Sequence, residues 1–194
     1  MVLKAKGSLI HSFMKILQLY DNYTGDHSKN VAELAKKIAV YMGLEQDLVN
    51  KVYLAGLVHD IGKVIIPRSI LNKTGHLTAC EFEKIKEHPG WGYEILKESK
   101  QLSSVAEIVL YHHERWDGEG YPEGLSGNSI PLFSRIIAVA DAWDAMTSAR
   151  PYRRPLSFDE AVSELLNNKG EQFAPEVIEV FYQIIKEDQD GVLF

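Results

Sequence analysis

Cysteine is nearly absent from this chain: its 194 residues include one, Cys80. An internal disulfide is therefore excluded, and the usage fits a reducing cytoplasm, with the Cys80 thiol expected simply to pack. Also missing is any long apolar run. The most apolar N-terminal stretch, residues 9–20, is interrupted by His11, Lys15 and Gln18, so neither a signal peptide nor a membrane span is read from it. Positive charge is not in excess either. A formal net charge of -6 excludes a global basic field for a nucleic-acid polymer or an anionic membrane, so an anionic substrate needs local help from metal or a few placed arginines. Finally, no alternating run is long enough for a strand, and no repeat or low-complexity linker divides the chain.

What is present is helical periodicity. Ile10, Phe13, Leu17 and Tyr20 make the seam of an amphipathic first helix. A second helix carries Val31, Leu34, Ala35 and Ile38 on one face, with His27 four residues before Val31. A third is expected from about Gln46 to Ile61 with Leu48, Val52 and Ala55 inward, and His59 falls four residues after Ala55. Both histidines thus belong to the buried side. Pro67 and the cluster at 72–75 mark a connector, and His88-Pro89-Gly90 reads as a break before a helix over about 91–100. The next helix, about 103–115, ends in His112 and His113; residues 116–129 form a loop, and an apolar helix over about 130–148 holds Asp141. Thr78-x-x-Glu81 and Ser157-x-x-Glu160 are capping boxes, and Pro175 suits the first turn of the last helix. The fold class is all-α. One bundle domain of about seven to nine helices is expected over residues 21–187, after an N-terminal helix (1–20) suited to an interface or to a link with a sensor, and before a tail (188–194).

Against that apolar background, His27, His59, Asp60, His88, His112, His113 and Asp141 stand out. One histidine on an apolar face is ordinarily a core residue with a hydrogen-bond partner. Five with two aspartates are different, because a buried carboxylate costs several kcal/mol unless paired. A shared metal centre satisfies them all. Imidazole with carboxylate selects a first-row transition metal, and an open site of that kind usually means hydrolysis. Lys63, three residues after Asp60, reads as a solvent lysine closing a helix or as a cation over the site that meets a phosphate oxygen. Arg150, Arg153 and Arg154 make the one dense positive cluster, either a solvated surface or a set of bidentate phosphate ligands.

Taken together, His59-Asp60-Ile61-Gly62-Lys63, His112-His113-Glu114, Asp117-Gly118-x-Gly120-Tyr121-Pro122 and Asp141-Ala142-x-Asp144-Ala145-Met146-Thr147 resemble the HD-GYP domain, a branch of the HD metal-dependent phosphohydrolases. The similarity runs over about residues 20–186 in the expected order. It implies an HD-type helical bundle with a buried dinuclear metal site and hydrolysis of cyclic di-GMP to linear pGpG, often on to GMP. By that resemblance His27, His59, Asp60 and Asp141 hold one ion, and Asp60 bridges to a second completed by His88, His112 and His113. Two divalent transition metals are implied, iron or manganese being usual in the family. Asp60 and Lys63 are the expected catalytic pair; Lys63, Arg150 and Arg153 match phosphate-contacting positions. Gly120, Tyr121 and Pro122 are expected beside the substrate, in a loop that also contacts partner proteins; a homodimer through the first helix is a further expectation.

Two positions depart from the family pattern. Some members bind a third metal through a Glu four residues before the first ligand histidine; Tyr23 stands there, and a phenol with a pKa of about 10 is a poor ligand. A two-metal site is therefore expected. Ala174 replaces an Asp that would cap the last helix, forgoing about 1 kcal/mol. Two rival functions remain: a phosphodiesterase for another cyclic dinucleotide, and a receptor of the same fold that binds nucleotide or partner without turnover. The complete ligand set argues against the second.

Overall fold

The computed structural model describes residues 24–148 and 154–187, together with residues 12, 15, 16 and 20. Tyr23, Arg150, Arg153, most of the first predicted helix and the 188–194 tail lie outside the described residues. The described residues form eight α-helices of two turns or more and one single turn, with no strand. In chain order these are α1 (Thr24–Tyr41), α2 (Gln46–Val58), the turn α3 (Arg68–Leu71), α4 (Ala79–Lys86), α5 (His88–Lys97), α6 (Ser103–Leu110), α7 (Leu132–Thr147), α8 (Phe158–Asn167) and α9 (Pro175–Glu187). A 3-10 segment, Ile61–Ile65, follows α2. None of the described helices is long and apolar enough to cross a membrane.

Helix α1 is the central element. It packs along α2 on one side and α7 on the other, burying Val31, Ala35 and Ile38. Helices α1 and α2 come close because Gly56 lies against the Ala32 backbone. The other side of the core is closed by α9, whose Val177, Ile178, Phe181 and Ile184 recur at helical spacing and are buried. Each such side chain contributes roughly 1.5–3 kcal/mol when fully buried. Trp143 of α7 stacks tilted on Phe181, ring centres 5.0 Å apart.

Both capping boxes form, Thr78 with Glu81 and Ser157 with Glu160. Ala174 is buried and its carbonyl accepts the first amides of α9, leaving that cap to the backbone alone. Four expectations need correction. Leu48 is 38% exposed and Val49 is 1% exposed, because the inward face of α2 runs through 49, 52, 55 and 56. His88-Pro89-Gly90 is no break; it starts α5, where Pro lacks only an amide that a first turn leaves unpaired. Helices α2 and α6 stop at Val58 and Leu110 rather than continuing through 61 and 115. Cys80 is exposed, since α4 buries no residue.

Candidate metal centre

The chain bends at both helix stops, and the bends place the histidines. His59 follows α2, His88 begins α5 and His112 follows α6, while His27 and Asp141 project from the facing helices α1 and α7. The 3-10 segment after His59-Asp60 lies flat against α5. Only glycine fits at 62: a Cβ there would fall 1.9 Å from the His88 carbonyl oxygen.

All seven predicted ligands meet in three overlapping groups, His88–His112–His113, His27–His59–Asp141 and His59–Asp60–His112, each with ligand atoms within 4.8 Å of one another. Asp60 is the hub and is buried. Its Oδ1 lies 3.4 Å from His88 Nε2, and its Oδ2 lies 3.5 Å from His59 Nε2 and 3.8 Å from His27 Nε2. Lys63 Nζ donates to Oδ2 at 2.6 Å, the i+3 contact that a 3-10 turn allows.

Chemistry fixes the tautomers. Nδ1 of His59 lies 2.8 Å from the Gly56 carbonyl, Nδ1 of His88 2.7 Å from that of Ile85, and Nδ1 of His112 2.6 Å from that of Val109. A carbonyl only accepts, so each Nδ1 carries a proton, and a ring in its neutral form then presents a bare Nε2 to the centre. The Nε2 atoms of His88 and His112 then face each other at 3.4 Å with no proton between them. His59 Nε2 is buried without a hydrogen-bond partner. Such a set of inward lone pairs is unfavourable unless a cation shares them, so these residues fit transition-metal ions.

The protonation preferences of His88, His112 and His113 agree. Burial, with repulsion from His113, pushes His88 down to about 3. Burial likewise lowers His113 to about 4 and His112 well below its ordinary value. Burial also opposes charge on His27, but hydrogen bonds to Asp141 and Asp144 outweigh it and raise that imidazole to about 9. Asp60 and Asp141 stay ionised although burial works against them. The Lys63 ammonium is the main cation holding Asp60 low, and the hydrogen bond with His27 does the same for Asp141.

The loop after α6 closes over this cluster. Tyr121 lies tilted on His113 with ring centres 4.9 Å apart, Pro122 follows through a cis peptide, and Gly120 backs onto the Glu114 and Arg115 backbones. Glu114, buried, accepts the amides of Glu123 at 2.7 Å and Leu125 at 3.0 Å, which ties the loop down. Its role, and those of Asp144 and Asn30 beside His27, went unassigned from sequence. A carboxylate three residues after Asp141 in an apolar helix was the available signal for Asp144. A hollow of about 980 Å³ is lined by Asn30 and Asp144 and by none of the seven ligand candidates. Of the expected phosphate contacts, Lys63 is at the centre, while Arg150 and Arg153 are outside the described residues.

The chain is similar to known proteins over most of its length. A family model for the HD domain covers residues 11–177. The chain is 43% identical over 183 residues to a cyclic di-GMP phosphodiesterase of Thermotoga maritima, covering 91% of this chain and 50% of that protein. It is 38% identical over 177 residues to the 3'3'-cGAMP-specific phosphodiesterase 2 of Vibrio cholerae, covering 90% of this chain and 34% of the relative. The chain thus spans half or less of the length of these curated relatives. In fold it resembles the crystal structure of a cyclic GMP-AMP phosphodiesterase from V. cholerae, with a TM-score of 0.71 at 20% identity, covering 93% of this chain and 49% of that one. The chain belongs to the HD-domain family, and its motif is that of the HD-GYP branch.

Proposed function

We propose that this chain is a metal-dependent phosphodiesterase that hydrolyses cyclic di-GMP to pGpG. The observation that carries the proposal is the set of bare Nε2 atoms that His59, His88 and His112 turn toward Asp60, whose two oxygens face different histidines. In this reading His27, His59, Asp60 and Asp141 hold one ion, Asp60 joins it to a second, and His88, His112 and His113 complete that second site. Two ions, iron or manganese, are proposed, and such ions supply Lewis acidity that activates water and neutralises phosphate charge.

The chain's own residues do the rest. Asp60 holds the Lys63 ammonium at the edge of the cluster, where it meets a non-bridging phosphate oxygen. Arg150 and Arg153 are proposed as further phosphate contacts, supplying the positive charge that an acidic protein needs for a dianion. Tyr121, over His113, screens the cluster from solvent and lines the substrate with Gly120 and Pro122. We place the reaction in the cytoplasm, with a protein partner at the Gly120-Tyr121-Pro122 loop and a homodimer through residues 1–20 as parts of the same proposal.

The identity to a cGAMP-specific relative favours one second reading, a different cyclic dinucleotide as substrate at the same centre. Anaerobic reconstitution with iron or manganese, followed by chromatography of products from several cyclic dinucleotides, tests both. Linear dinucleotide from cyclic di-GMP, lost together with bound metal in Asp60→Ala, is the expected result. Turnover of only another cyclic dinucleotide selects the second reading. An Asp60→Ala chain with full metal and full turnover would refute the site, and nucleotide binding without product would refute the enzyme.

A further inference from the structure

Four histidines of the cluster have a visible orienting partner at Nδ1, and one of those partners differs in kind. His59, His88 and His112 donate to backbone carbonyls three residues earlier. His27 instead has Asp144 Oδ2 at 2.6 Å from its Nδ1. The geometry arises from two meshed rows. His27 and Asn30 are i and i+3 on α1, Asp141 and Asp144 are i and i+3 on α7, and the two helices pack together. His27 therefore lies between carboxylates, with Asp141 Oδ1 at 3.2 Å from Nε2 and Asp144 at Nδ1. Asp144 is buried and is itself braced: its other oxygen accepts from Asn30 Nδ2 at 2.8 Å and from Ser148 Oγ at 3.0 Å. With both oxygens committed, Asp144 is not in any of the three ligand groups.

We infer that Asp144 is a positioning residue for one metal ion only, the one held by His27, His59 and Asp141. This rests on the reading that the cluster holds metal. A carboxylate at Nδ1 does two things that a carbonyl does less strongly. It fixes the ring with its Nε2 lone pair inward, and its full charge makes that Nε2 a stronger donor. Asn30 and Ser148 keep the carboxylate from turning away. The histidines of the other group are oriented from elsewhere: His88 by Ile85 O and His112 by Val109 O, while His113 lies against the Tyr121 ring.

The test is a manganese(II) titration of the full chain in competition with a chromophoric chelator, for wild type, Asp144→Asn and Asn30→Ala. Thermal melting confirms that each variant is folded. Asp144→Asn retains an acceptor for Nδ1 but loses the charge. It is expected to weaken one of two manganese ions by about 10–100-fold and leave the other unchanged. Asn30→Ala, which leaves Asp144 in place, is expected to weaken the same ion by a smaller factor, so the assignment survives even if the Asp144 variant fails to fold. Two ions bound as in wild type by both variants overturns the inference and leaves the metal reading standing. Equal weakening of both ions also overturns it, since that is the mark of general disturbance. A wild-type chain that binds no manganese overturns the metal reading and the inference together.

Discussion

Substituting Gly62 by alanine tests how the fold holds the centre. The added Cβ would fall 1.9 Å from the His88 carbonyl oxygen and 2.6 Å from the Gly92 amide nitrogen. A carbon and a carbonyl oxygen approach to about 3.3 Å, so the shortfall is roughly 1.4 Å. Both obstructing atoms are backbone of α5, and no rotamer change relieves them. The 3-10 segment and α5 must separate, yet His88 Nε2 is held 3.4 Å from Asp60 Oδ1 across that same seam. Overpacking costs about 1–3 kcal/mol, and a clash between two backbones belongs at the upper end. For a domain of this size 3 kcal/mol lowers Tm by about 6–12 °C. Thermal melting with and without manganese, together with metal analysis, reads both effects. The variant should melt lower and lose the ion held through His88. A Gly62→Ala chain with wild-type Tm and wild-type metal content would show that the seam is looser than the contact requires, and the reasoning would fail.

Two further outcomes follow from the same site. Without metal, His88 and His113, held to about 3 and about 4, bind protons more readily unfolded, where histidine titrates near 6.5. Their contribution is complete above about 6.5 and is lost as pH falls, by up to about 3 kcal/mol per pH unit for the pair. His27, raised to about 9, stabilises fully below about 6.5 and loses that contribution as pH rises through 9. Chelator-treated protein should therefore melt highest near pH 6.5, falling off on the acid side through His88 and His113 and between about 6.5 and 9 through His27, and a flat Tm from pH 4.5 to 7 would contradict the buried neutral histidines. Glu114→Gln leaves one of the two loop amides facing an NH₂ group, at a cost of about 1–3 kcal/mol. Hydrogen exchange at Glu123 and Leu125 should accelerate selectively; unchanged exchange there would remove Glu114 as the loop's clamp.

Sequence alone went far toward this site. Helical spacing put His27 and His59 on buried faces, and all seven ligand candidates converge in the structure. Caps were equally legible, because a capping box is a local pattern with a local cause. Helix ends were not. Periodicity sees apolar residues continue past His59, and no glycine or proline follows His112 before Gly118, but neither signal registers that each imidazole takes a carbonyl of the preceding turn. The inward face of α2 was misplaced by one residue, Leu48 for Val49, because both are apolar and only packing against α1 separates them. Asp144 stood inside a quoted motif without a role, since its partner His27 is 117 residues away.

The Nδ1 bonds of His59 and His112 also carry an experimental warning. The carbonyls of Gly56 and Val109 belong to the last turns of α2 and α6, where helix geometry offers them no amide. Each imidazole is thus a C-terminal stop as well as a proposed ligand, and one proton serves both. Alanine at 59 or 112 removes two things in a single stroke, so a dead protein reports frayed helices as readily as a lost ion. Asparagine places an amide N–H close to where Nδ1 sits and nothing where Nε2 sits. It keeps the helix end and deletes only the lone pair, which makes it the cleaner reagent for asking what these two histidines hold.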